Sequence, residues 1–134
     1  YERLLHEVEA SVALLQAHLF GQQPRAEALI VEADGEVAGF ALFFHNFSTF
    51  LGRPGLYLED LYIRPAFRGR GYGRRVMQRL AQIALERDCG RFEWWVLDWN
   101  SPAIEFYRSL GAQPMSDWTV QRVSGEALVA LAAD

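Results

Sequence analysis

The stretch Arg68-Gly69-Arg70-Gly71-Tyr72-Gly73-Arg74 could hold an anion. Arginines bring charge, and glycines let backbone N–H groups crowd against a ligand. A strongly periodic helix follows, and a helix start carries partial positive charge and unpaired amides. Two other glycine loops are excluded. A P-loop needs a Lys after its last glycine, and all 13 basic residues here are Arg. A dinucleotide fingerprint needs G-x-G-x-x-G, but Gly69-Arg70-Gly71 leads to Arg74 and Gly71-Tyr72-Gly73 to Val76. Arg-Gly segments that bind nucleic acid are usually disordered in basic chains, whereas this one opens a helix in a chain of net charge −4. Taken alone, the loop could still be a solvated turn before a helix.

A second tract, Asp98-Trp99-Asn100-Ser101-Pro102-Ala103 through Phe106-Tyr107 to Gly111-Ala112, follows at a distance that leaves room for one helix and one strand. Together, Arg68-x-x-Gly71-x-Gly73 and this tract resemble the two hallmarks of GNAT-type N-acetyltransferases. Those hallmarks are the acyl-CoA pyrophosphate loop and N-x-x-[AS]-x-x-x-Y-x-x-x-G. Within that superfamily, Tyr57-Leu58-Glu59-Asp60-Leu61, the glycine loop and the Asp98 tract are similar to the diamine N-acetyltransferases, of the spermidine/spermine and thialysine type. The similarity spans Ala26 to Val123.

The resemblance implies an α/β GNAT fold, a mixed, mostly antiparallel central sheet flanked by helices, with a splayed cleft between its two central strands. It implies one domain over residues 1–134, lacking its first strand, because the family has a strand and a helix start ahead of the point where Tyr1 stands. It also implies acetyl-CoA as co-substrate. Backbone groups of Leu61, Tyr62 and Ile63 would line the thioester and pantetheine arm. Arg68, Gly69, Arg70, Gly71, Tyr72, Gly73 and Arg74 would hold the pyrophosphate. Asn100 and Ala103 would touch the pantetheine from the other side, and Tyr107 would reach the sulfur. On the amine side stand Glu59, Asp60 and Glu2, with Tyr1, Glu93 and Trp94 near the same pocket. Trp94-Trp95 is bulkier than the usual family pair, and the loop from Ser48 to Gly55 differs, so acceptor choice is where this chain departs. The family is typically dimeric, which implies a homodimer.

The chemistry asks for specific groups. An alkylamine with a pKa near 10.4 is protonated at pH 7, so freeing it costs about 4–5 kcal/mol. Glu59 is the candidate base, acting through a water. The oxyanion needs a fixed N–H donor, which a bulge in the strand after Glu59 could aim. The departing thiolate takes a proton from Tyr107. No covalent intermediate is required, so Cys89, Ser48 and Ser101 need no nucleophilic role. Glu59 and Asp60 point to opposite faces of a regular strand, so one of them could be merely solvated. Tyr107 and at least one of Trp94 and Trp95 could equally be core. The expected acceptor is a primary amine on a small cation, namely a diamine, polyamine or basic amino acid. The alternatives are an amino acid α-amine, an aminoglycoside or a protein, or a module that binds acyl-CoA without turnover.

The elements that must position these groups can be read from periodicity. Residues from Tyr1 to Leu19 read as a helix, with Leu4, Leu5, Val8, Val12, Leu15 and Leu19 at three- and four-residue steps. Ala28 to Ala33 and Val37 to Phe47 form a hairpin about Asp34-Gly35. Ser48 to Gly55 reads as a loop, and Leu56 to Ile63 as a central strand covered on both faces. The helix after the glycine loop carries the stripe Val76, Met77, Leu80, Ile83 and Ala84 and ends near Asp88-Cys89-Gly90. A strand from Arg91 to Leu97 and a helix capped by Asn100 or Ser101 follow. A last strand from Trp118 to Val123 and a short tail helix to Ala132 complete the order.

Composition narrows the classes. The chain has 134 residues, enough for one domain with a real core, with 51% apolar and 22% charged residues. Net charge −4 argues against nucleic acid and mildly favours a cationic partner. The single cysteine, Cys89, excludes an internal disulfide, reads as packing and fits a reducing compartment, so a cytoplasmic protein is expected. There is no run of about 18 apolar residues, so no membrane partner is expected. His6, His18 and His45 lack ligand spacing, so no metal is expected.

Overall fold

The computed structural model describes residues 9–133. Tyr1 and Glu2 lie outside the described residues, as does the first half of the expected leading helix. The described helix is shorter than expected. It is α1 (Val12–Phe20), which starts where the Ser11 hydroxyl accepts the Leu14 amide at 3.2 Å. That cap sets the boundary inside the apolar period. The contacts divide the chain into two compact units, one ending at Leu97 and the other beginning at Asp98.

The first unit is built on a mixed sheet of order β1-β2-β3-β4. Strands β1 (Glu27–Ala33) and β2 (Glu36–Ser48) turn at Asp34 and Gly35, with φ of 54° and 77°. Left-handed values at both positions are what a two-residue turn needs to match strand twist. Strand β2 pairs antiparallel with β3 (Arg53–Ile63), from Ser48↔Arg53 to Gly39↔Ile63. The expected loop from Ser48 to Gly55 therefore shrinks to the residues between these strands. Its Gly52 and Pro54 mislead, because Gly52 (φ 65°) makes the turn and Pro54 enters β3 near its start, where a proline is tolerated. Strand β4 (Phe92–Trp94) pairs parallel with β3, and it is shorter than the expected Arg91 to Leu97. Its ladder covers only Leu56↔Phe92, Tyr57↔Glu93 and Leu58↔Trp94, while β3 continues to Ile63. This is the splay between the two strands.

Helix α2 (Tyr72–Glu86) packs on β3 and buries Val76, Met77, Leu80, Ile83 and Ala84, the stripe read from sequence. The sheet face beneath it carries Ala41, Phe43, Leu56 and Leu58, all buried. Leu56 and Leu80 are fully buried, and each such side chain contributes about 1.5–3 kcal/mol. The helix ends on Asp88 (φ 59°), where the Cys89 amide donates to the Ala84 carbonyl at 2.8 Å and the Asp88 amide to Leu85 at 3.2 Å. The left-handed residue is thus Asp88 and not Gly90, where a Cβ would only press on the end of the exposed Leu51 side chain.

The second unit holds α3 (Ser101–Ser109) and α4 (Gly125–Ala132). The expected strand from Trp118 to Val123 is not formed. Its residues have no strand partner in that unit among the described residues, and a lone strand leaves its backbone groups unpaired.

Candidate active site

The glycine loop is held from below. Pro65–Phe67 forms a single 3-10 turn after β3, and Phe67 is buried with Ala33 and Ala38 against Ile63 and Tyr72. Two exposed loop arginines are tied back to the first unit. Arg68 Nε donates to the Ile63 carbonyl at 2.8 Å, and its guanidinium lies over the Tyr62 ring. Arg70 meets Asp34 Oδ2 at 3.3 Å and lies over Phe67. Gly69 and Gly71 take φ of 78° and 81°, and a Cβ at either would meet nothing within 4 Å. Glycine is needed there for conformation, and the space above it is open. Gly71 caps α2 with no side-chain hydrogen bond, and no acidic residue stands in the first turn. The first amides of a long helix are left to an anion, beside the exposed Arg74 and Arg75. The residues fit a pyrophosphate.

Upstream, β3 carries the acid and aromatic groups. Its register with β2 runs Phe44↔Tyr57 and Phe43↔Leu58, then jumps to Leu42↔Asp60. Glu59 is the extra residue of a β-bulge. A bulge is what the sequence reading asks of this strand, and its position at Glu59 breaks the alternation that a regular strand would impose. Paired residues share a face, so Tyr57, Asp60 and Tyr62 stand with Phe44, Leu42 and Phe40, although strict alternation would separate Tyr57 from Asp60. Leu56, Leu58 and Leu61 stand with His45, Phe43 and Ala41 on the α2 face.

Around Tyr57 the site face is aromatic and acidic. Its ring lies 4.9 Å from Phe44 and meets Trp95 edge-on at 5.9 Å. Burial first, then the charges of Glu59 and Glu93, push its phenol up to about 12. Glu93, the register partner of Tyr57, accepts a hydrogen bond from Asn46 Nδ2 at 3.4 Å. Glu59 itself is exposed and Asp60 half-buried. Trp94 pairs with Leu58 and its ring packs on Phe92 at 4.8 Å, so the tryptophan that reaches Tyr57 is Trp95.

In the second unit, Asn100 Oδ1 accepts the Ala103 amide at 3.3 Å and Pro102 stands in the first turn. Asn100, not Ser101, is the cap. Tyr107 lies in the last turns of α3 with its ring 5.5 Å from Phe106. Its carbonyl accepts the Leu110 and Ala112 amides at 3.0 and 3.1 Å, which closes the helix at Gly111 (φ 96°).

The structure thus brings Glu59, Asp60, Leu61, Tyr62, Ile63, Glu93, Trp94 and the loop from Arg68 to Arg74 into one unit, while Asn100, Ala103 and Tyr107 share the other. Sequence reasoning missed Asn46 and Phe44, and of the pair Trp94-Trp95 it put Trp94 at the pocket, where Trp95 meets Tyr57. Gly55 was the available signal, because a glycine inside a strand marks a close approach. Cys89 is buried, 3.8 Å from His45 Nδ1, and burial pushes its thiol up, away from a reactive thiolate. Among the described residues, no group of His, Cys, Asp and Glu could hold a metal ion, and no helix is long and apolar enough to cross a membrane.

The profile of the Acetyltransferase (GNAT) family matches residues 3–112. The thialysine N-epsilon-acetyltransferase of Mus musculus is 38% identical, over 98% of this chain and 84% of that enzyme. An L-ornithine N5-acetyltransferase of Arabidopsis thaliana is 43% identical, over 73% of this chain and 43% of its own length. An integron cassette protein from the mobile metagenome of V. cholerae superposes with a TM-score of 0.81 at 28% identity, covering 93% of this chain and 80% of that one. Because the match runs through both the glycine loop and the tract from Asn100 to Gly111, the chain belongs to the GNAT family of acetyltransferases.

Proposed function

We propose that this acetyltransferase moves the acetyl group of acetyl-CoA to a primary amine on a small cation, a diamine, polyamine or basic amino acid. One observation carries the acceptor class: Glu93, the register partner of Tyr57, and Glu59, two residues further along β3, set two carboxylates beside a face walled by Phe44 and Trp95. Aromatic walls suit methylenes and carboxylates suit ammonium groups. Relatives that act on thialysine and ornithine support the same class.

In this reading the loop from Arg68 to Arg74 holds the pyrophosphate, and the backbone of Leu61, Tyr62 and Ile63, with Asn100 and Ala103, guides the pantetheine arm. Glu59 removes the ammonium proton through a water, with Asp60 and Glu93 holding the cation nearby. The bulge aims a β3 amide at the developing oxyanion, and Tyr107 delivers a proton to the departing sulfur. Trp94 supports the pocket from the α2 side. The working unit is a cytoplasmic homodimer, as the family resemblance suggests.

A thiol-release assay with acetyl-CoA and an amine panel tests the reading. Diamines and basic amino acids should outperform uncharged amines of equal length, and rising salt should narrow the gap. Glu59→Gln should lose most rate at neutral pH and less at high pH, where free amine is available unaided. Tyr107→Phe should slow turnover with little change in acetyl-CoA affinity. A bulky antibiotic or aromatic amine as best acceptor would defeat the acceptor assignment.

A further inference from the structure

Asn46 on β2 and Glu93 on β4 are separated by a whole strand, yet their side chains touch. The path runs over Gly55, the β3 partner of Asn46. A Cβ on Gly55 would stand 2.2 Å from Asn46 Oδ1, so any other residue there would displace the amide. Gly55 is buried and is not among the glycines of positive φ, so backbone freedom does not explain it. A glycine inside a strand weakens it by about 0.5–1 kcal/mol relative to alanine, and what it provides here is a corridor. Through that corridor Asn46 Nδ2 donates to Glu93 Oε1 at 3.4 Å in a partly buried setting.

We infer that Asn46 is a positioning residue of the acceptor site, fixing the Glu93 carboxylate to receive the far cation of a dicationic amine. The inference rests on the amine-acetyltransferase reading above. Glu93 stands beside Tyr57, and Glu59 lies two residues further along the neighbouring strand. With about 3.3 Å of rise per residue and 4.8 Å between strands, the two positions are about 8 Å apart. That separation suits two cationic groups several methylenes apart, the reacting amine at Glu59 and its distal partner at Glu93. A glutamate has three rotatable bonds, and an oriented carboxylate spares that ordering cost on binding. Asn46 thus acts on the choice between dication and monocation, without touching the reacting atoms.

The test is steady-state kinetics on the full chain with 1,5-diaminopentane and pentylamine, which share a stem and differ by one cation. Asn46→Leu keeps the branched shape and removes the donor; Asn46→Ala is the second variant should Leu pack badly. Either should raise KM for the diamine about tenfold, as loss of a hydrogen bond to a charge would. KM for pentylamine and for acetyl-CoA, and kcat, should stay within about twofold of wild type by the same account. In a Glu93→Gln background the Asn46 substitution should add nothing further. A change that is equal for both acceptors, or fully additive with Glu93→Gln, overturns the inference and leaves the enzyme's function standing. A wild-type enzyme with no preference for the diamine overturns the acceptor reading and this inference with it.

Discussion

The two faces of β3 are made from neighbouring residues and serve opposite ends. Toward α2, Leu56 and Leu58 are buried at 0% and 4% exposure, with no charged group among the buried residues described. On the other face Tyr57 is half-buried between Phe44 and Trp95, with Glu59 exposed and Asp60 half-buried further along. A regular strand would hand residues to the two faces in turn, and it would send Asp60 to the apolar side. The bulge at Glu59 resets the count, so Asp60 joins Tyr57 while Leu61 returns to the core side. One inserted residue lets a strand keep its hydrophobic face and still gather successive acids on the other.

Removing the inserted residue is the sharpest way to break that contrast. Deleting Glu59 would place Asp60 directly after Leu58, continuing Phe43↔Leu58 with Leu42↔Asp60 in regular register. Every apolar residue keeps its face, so the fold should survive with a small loss in thermal midpoint. Turnover should fall by about 10²–10⁴, the range a general base supplies. Thiol release and circular dichroism on the same sample check this. A deletion that unfolds the chain would show that the bulge is structural.

The apolar face is broken by Leu56→Ala. This side chain is fully buried, so about 3 kcal/mol of stability should be lost in urea denaturation. Tyr57→Phe, one residue away on the other face, should cost under about 1 kcal/mol, because the ring and its packing remain. Comparable losses at the two positions would erase the distinction between the faces.

The contrast also predicts how the strand's far end behaves. There β3 gives way to a loop whose glycines are chosen for conformation and open space. Gly71→Asp sets a strained φ and a negative charge at the start of α2, and should weaken CoA binding about hundredfold by calorimetry. The buried stripe of α2 begins at Val76, past the substituted residue, so the fold should persist.

The apolar face was legible because helix and strand periods are written in residue types: Val76, Met77, Leu80, Ile83 and Ala84 are buried as read. The glycine loop was legible for a related reason, since Gly69 and Gly71 sit where only glycine is comfortable. The site face was harder. Whether Glu59 or Asp60 faces the pocket depends on the bulge, which the chemistry of the oxyanion asks for but whose register is fixed by pairing with β2. The reach of Asn46 to Glu93 joins residues far apart in sequence, and only Gly55 hinted at it. The strand expected over Trp118 to Val123 had the right apolar residues, but a strand also requires a partner, which a local pattern does not reveal.

The smallest expected effect lies on Tyr57, and it reports on the polar face alone. Burial is the main reason its phenol is pushed up to about 12, with the charges of Glu59 and Glu93 adding to it. In the unfolded chain a tyrosine ionises near 10. The raised value means the folded state holds its proton longer. The stability tied to it is fully present below about pH 10 and is lost as pH rises toward 12. Ultraviolet titration of phenolate absorbance should show one tyrosine ionising late, and Tyr57→Phe should delete that step. Glu93→Gln should bring the step down only part of the way, because burial remains. A full return to the ordinary value in Glu93→Gln would make charge the dominant cause. The face would then be wetter than the packing of Phe44 and Trp95 on Tyr57 implies, and the contrast with the Leu56 side correspondingly weaker.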